Sequence, residues 1–127
     1  GGLKNYLLIL DKSGGGNLIR GIKKLFGIYD ENYEYWVYTR TIKVPPEFRK
    51  HRIGFKKFNQ KKKYWYKTGE FESKVILDKH HNLLDGYSTV RIAEIKGLDK
   101  IPVYFVKDPN AYKAKLKREY LGKRNKP

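Results

Sequence analysis

The residues best placed to do chemistry lie at one corner, Asp85-Gly86, followed by Ser88, Thr89 and Arg91. A glycine at such a corner lets the backbone turn sharply into a helix, whose first N–H groups lack partners and favour an anion. Gly86, Ser88, Thr89 and Arg91 would then form a seat for a phosphate. Asp85 is the acidic candidate beside it, and Arg91 the stabiliser of developing charge. A second concentration lies in Arg49–Lys67, which holds nine Lys/Arg and no acid. Arg49, Lys50, Arg52, Lys56, Lys57, Lys61, Lys62 and Lys63, beside Tyr64, combine phosphate contacts with a ring on which a base can stack. Lys113, Lys117 and Arg118 offer a further cationic surface near the C-terminus. His51, His80 and His81 match no zinc spacing and the chain has no cysteine, so no metal is expected.

Local patterns supply the elements that must carry these groups. Tyr6–Leu10 reads as a buried strand, residues 11–16 as a glycine-rich loop and Asn17 as an N-cap. Leu18, Ile19, Ile22, Leu25 and Phe26 repeat at helical spacing until Gly27, so a packed helix is expected there. The loop before it lacks the P-loop ending. Tyr33–Val44 alternates as one long strand or two joined by a bend, ended by Pro45-Pro46. Its aromatics fill core or face bases on an open sheet. Phe48, Phe55 and Phe58 would anchor the basic segment, and Gly54 interrupts it. Val75–Leu77 is a β-branched strand, and Asp78–Asn82 a turn with His80-His81 at an exposed tip. Leu83-Leu84 is apolar again, Tyr87–Lys96 a helix stopped by Gly97, and Ile101–Val106 a strand. Asp108-Pro109 caps a last helix with the stripe Tyr112, Leu116, Tyr120, ending at Gly122.

Composition bounds the possibilities. The 127 residues are 39% hydrophobic and 15% aromatic, which supports a globular fold. No apolar run approaches the roughly 20 residues of a membrane span. With no signal-peptide core and no disulfide framework, a cytoplasmic location and no membrane partner are expected. The Gly1-Gly2 start, without methionine, is expected to be either processed or introduced for expression, so the first residues carry little information. The formal net charge of +16 is concentrated in Arg49–Lys67 and in residues 107–127. Such concentration points to an anionic partner rather than to solubility alone.

The stretch LLDGYSTVRIAEIKGLDKIPVYFV resembles the motif region of the ParB-like/sulfiredoxin-like superfamily. The matching positions are Leu83-Leu84-Asp85-Gly86, then Arg91, Ala93, Gly97, Ile101, Pro102 and Val103. Looser matches at Thr41–Pro45, Lys63–Tyr66 and Thr68–Phe71 extend it over about Thr41–Val106. The resemblance implies an α/β (α+β) fold class: a small mixed sheet with flanking helices, plus the basic C-terminal helix. The expected organisation is one α/β domain over residues 1–106, with a ParB-like core at about 41–106 and a basic helix and tail over 107–127. Family members with nucleotide-dependent activity place Arg, His or Cys directly after the glycine, where this chain has Tyr87-Ser88-Thr89. Without cysteine, sulfiredoxin chemistry is excluded.

Three functional readings follow. The first is a nucleic-acid-binding ParB-like protein, related to phages or plasmids, that grips DNA or RNA phosphates through two basic segments. The second is a nucleotide-dependent enzyme (NTPase, kinase or nuclease) with CTP or ATP at the Asp85-Gly86 corner. The third is a mobile-element inhibitor that binds a host nucleoprotein complex. Activity does not follow from fold, so the side chains must decide between them.

Overall fold

A computed structural model describes residues 22–124, and the chain divides into two units, Gly1–Asp30 and Glu31–Pro127. The strand expected at Tyr6–Leu10, the glycine loop, the Asn17 cap and the first turn of the helix lie outside the described residues. In the first unit, residues 22–25 are helical and stop at Gly27 as the pattern predicts. Of the predicted stripe, Ile22 is buried whereas Leu25 and Phe26 are exposed.

The second unit contains a four-stranded sheet. Its strands are β1 (Tyr35–Tyr38), β2 (Val75–Leu77), β3 (Leu83–Asp85) and β4 (Lys100–Phe105). Four helices accompany them: α1 (Pro46–Lys50), α2 (Phe55–Thr68), α3 (Tyr87–Lys96) and α4 (Pro109–Arg124). The order across the sheet is β1-β4-β2-β3. The β1–β4 and β2–β3 pairs are antiparallel, and β2–β4 is parallel, so the sheet is mixed. A parallel pair needs a crossover, and α3 lies on the path that carries the chain from β3 to β4. Pro102, which has no N–H to give, sits in β4 one residue before pairing with β2 begins at Val75–Val103.

The core is aliphatic. Val37, Val75, Leu77, Leu83, Ile101, Val103 and Phe105 from the sheet are buried, with Val90, Ile92 and Ala93 from α3. Each large side chain so buried contributes about 1.5–3 kcal/mol. That outweighs any exposed ion pair as the force holding α3 in place.

Two expectations change here. The alternation predicted over Tyr33–Val44 stops at Tyr38, where a 3-10 turn (Thr39–Thr41) shifts its phase, and Lys43 then makes only an isolated bridge to Asn82. Thr39 fixes the turn, its hydroxyl donating to the Leu98 carbonyl at 2.7 Å. His81 is not an exposed tip: its ring packs on Phe105 at 5.4 Å, and Lys43 N–H donates to its carbonyl. Asp78 closes that turn by accepting from the backbone N–H groups of His80 and Asn82. Burial pushes its carboxyl up, but these bonds and the Asn82 amide outweigh it and hold it below the usual range.

Candidate functional site

Gly86 caps α3 in the left-handed region, at φ 89°. A Cβ there would lie 2.3 Å from the Lys74 carbonyl oxygen and 2.7 Å from Val75 Cα, so both conformation and space demand glycine. The Gly86 Cα is therefore packed against the Lys74–Val75 backbone. The anion that a helix N-terminus favours is supplied by the chain itself. Asp85 Oδ1 accepts the Gly86 N–H at 2.8 Å, and Oδ2 accepts the Tyr112 hydroxyl at 2.9 Å. Burial, then this bond to Asp85, push the Tyr112 hydroxyl well above its usual range. The stop at Gly97 (φ 66°) is as the sequence predicts, with Leu98 N–H returning to the Ala93 carbonyl.

The expected phosphate seat is divided by the fold. Thr89 is 2% exposed and its hydroxyl donates to the Ser73 carbonyl at 2.6 Å. Ser88 is buried as well, with Lys61 Nζ 3.3 Å from its hydroxyl; the same ammonium donates to Ser73 Oγ at 2.7 Å. Lys61 thus turns inward and ties α2 to α3, where an outward phosphate contact was expected.

Arg91 faces a different neighbourhood. Arg49 donates twice to the Glu94 carboxylate, at 3.0 and 2.9 Å, and Arg91 adds a contact at 3.3 Å. Arg49 also lies over the Tyr87 ring at 5.5 Å. Its bonds to Glu94 raise the Arg49 guanidinium above its usual range and, reciprocally, hold the Glu94 carboxyl below its own. Arg49, Arg52, Arg91 and His51, with Ile53, Phe58 and Tyr87, line a cavity of about 490 Å³. The sequence places Arg49 and Arg52 in the basic segment and Arg91 in the glycine-corner motif, and the docking of α1 on α3 unites them.

The basic segment forms two helices separated by residues 51–54, as Gly54 predicts. Phe48 and Phe58 are half-buried, but Phe55 is 81% exposed and anchors nothing. Trp65 is half-buried and stacks on Phe71 at 6.0 Å, which turns the opposite side of α2 to solvent. At about 3.6 residues per turn, Lys56, Gln60, Lys63 and Lys67 form one stripe, flanked by Lys57 and Tyr64. All six are exposed. Among the described residues no lysine of α2 is paired with a carboxylate. Lys62 is half-buried, 5.3 Å from the Phe58 ring.

Helix α4 is preceded by Asp108, whose carboxylate accepts the Ala111 N–H at 3.0 Å, and runs past Gly122 to Arg124 rather than ending at the glycine. Tyr112 and Leu116 face inward, while Tyr120 is exposed. Its cations divide about that stripe, Lys113 and Lys117 to one side, Lys115 and Arg118 to the other. Among the described residues no three His, Asp or Glu side chains gather as metal ligands, and no helix is long and apolar enough to cross a membrane.

Neither a family model nor a curated protein matches this sequence. Solved structures do. The ParB-N domain of a pNOB8-like protein aligns with TM-score 0.53 and 19% identity, over 65% of this chain and 33% of its own. A C-terminally truncated chromosome-partitioning protein ParB from Caulobacter crescentus, complexed with CTP-gamma-S, gives 0.49 and 10% identity over 61% and 46%. A further structure of a pNOB8-like ParB N-domain gives 0.46 and 23% identity, over 59% and 28%. This chain therefore spans less than half the length of each of these proteins. Its mixed four-stranded sheet with flanking helices is a ParB N-domain-like fold over 65% of the chain.

Proposed function

We propose that this protein binds nucleic acid through its phosphates, with the outer face of α2 as the main contact surface. The observation that carries the reading is the exposed stripe Lys56, Lys63 and Lys67, with Lys57 and Tyr64 beside it and no carboxylate paired to it among the described residues. Lys50 and Arg52 extend the charge ahead of the helix, and on α4 Lys113 and Lys117 add a second patch, with Arg118 on the other side of that helix. Arg49 and Lys61 serve the fold instead, since Glu94 and the Ser73–Ser88 pair already engage them. Phosphate contacts position a polyanion without reading its sequence, so DNA and RNA of many sequences should bind. Fluorescence anisotropy with a labelled oligonucleotide tests this. Combined Lys56→Ala, Lys63→Ala and Lys67→Ala should weaken binding by at least tenfold at low salt, about uniformly across sequences. Unchanged affinity would remove α2 from the interface.

The arginine cavity supports a second reading, a nucleotide site. Arg52 would meet phosphates, joined by Arg91, whose single 3.3 Å contact to Glu94 leaves the rest of its guanidinium for a ligand. Tyr87 and Phe58 offer ring surfaces, and about 490 Å³ suits a nucleotide-sized ligand. Asp85 is assigned to holding α3 and α4 together rather than to catalysis, because both its oxygens are engaged. Calorimetric titration with CTP, ATP and ADP should give binding that Arg52→Ala and Arg91→Ala abolish. Equal heats in all three proteins would eliminate the site.

A further inference from the structure

The sheet alternates strictly along β1 and β4. Tyr35, Val37, Ile101, Val103 and Phe105 enter the core, so Trp36, Tyr38, Lys100, Pro102 and Tyr104 share the opposite face. The register sets Trp36 beside Pro102, Tyr38 beside Lys100 and Ile76 beside Tyr104. Trp36 is 57% and Tyr38 43% exposed. Cations sit against these rings. Arg40 and Lys100 lie 4.5 and 4.7 Å from the Tyr38 centroid, and Lys74 lies 5.1 Å from that of Tyr104. Trp36, Pro102, Tyr104 and Lys74 also line one cavity of about 340 Å³. Lys74 and Tyr104 line a second groove, of about 610 Å³, which reaches Lys115 and Arg118 on α4.

Exposed rings with cations held over or beside them suit a ligand that is flat, aromatic and anionic in series. Nucleobases joined by phosphates fit that description; the bases of a duplex, stacked on each other, do not present their faces. An apolar peptide would have to desolvate the ammonium groups at the rim. Glu34 and Glu70 border the smaller cavity, so phosphates are repelled there and its ring surfaces are left to bases. We infer that this sheet face is a stacking platform for single-stranded nucleic acid. Bases lie on Trp36 and, as Arg40 and Lys100 move from its ring to phosphates, on Tyr38; the backbone runs along Arg40, Lys100 and Lys74. The platform uses no α2 side chain, so either surface can fail without the other.

The test uses the chain's two tryptophans, of which Trp65 is half-buried. In the full chain carrying Trp65→Phe, Trp36 becomes the sole indole reporter. Titration with an oligothymidylate of about 15 nucleotides should quench its emission saturably, and a hairpin duplex of equal phosphate number should not. Trp36→Ala with Tyr38→Ala should lower single-strand affinity by about tenfold or more, while duplex affinity stays within about twofold. Equal quenching by both nucleic acids would overturn the proposal, as would unaltered single-strand affinity in the double variant. So would loss of self-association in place of nucleic-acid binding, measured by sedimentation, which would assign the face to a second copy of the chain. Should the double variant fail to fold, the quench of Trp36 alone decides.

Discussion

Gly86 and Glu94 show how unequal single residues are in this molecule. Gly86 combines a positive φ with backbone of Lys74 and Val75 standing where a Cβ would go, so Gly86→Ala should cost at least about 2 kcal/mol, read as a lowered urea midpoint. Glu94 holds two arginines, but at a solvent-exposed surface, where such pairs contribute less than about 1 kcal/mol. Its signature is pH dependence. A carboxyl whose folded value is depressed stabilises fully above its ordinary value, here 4.5, and that stabilisation is lost as pH falls through the folded value. Denaturation midpoints of the native protein should therefore drop on acidification below pH 4.5, and Glu94→Gln should show a shallower drop. The glycine was legible in the sequence because a corner entering a helix has few alternatives. The inward turn of Lys61 was not, since a lysine's neighbours on a helix do not reveal which side chains a distant loop, here Ser73, brings near.

Among the elements, α3 and its strands were readable from local pattern: a short β-branched run, a polar turn, a glycine at each end of ten helical residues. The parallel pairing of β2 with β4 was not, because it joins segments far apart in sequence and leaves no periodic trace in either. Nor was the 3-10 turn after β1, which rests on a hydrogen bond from Thr39 to Leu98. The same distance hid the arginine cavity, whose walls come from α1, the following loop, α2 and α3. Helix α4 is tied to the corner by Tyr112, and Tyr112→Phe should remove about 1 kcal/mol of that attachment. The expected readout is faster amide exchange confined to α4, with β2 and β4 protected as before. Uniform acceleration across the sheet would mean that the hydroxyl supports the whole unit.

Across the whole molecule, a net charge of +16 is excessive for solubility, and the fold sorts it unevenly. Some cations are engaged within the chain, by Glu94 at the surface and by the Ser73 and Ser88 hydroxyls; the lysines of the α2 stripe remain presented to solvent as a group. Collective contact with a polyanion releases counterions, and that is the central claim. It is tested most directly by the slope of log affinity against log salt concentration. With about six cations engaged, affinity should fall by about a thousandfold between 50 and 200 mM salt, and the Lys56, Lys63, Lys67 alanine variant should lose about three units of slope. A flat titration, or the same slope in that variant, would contradict the account.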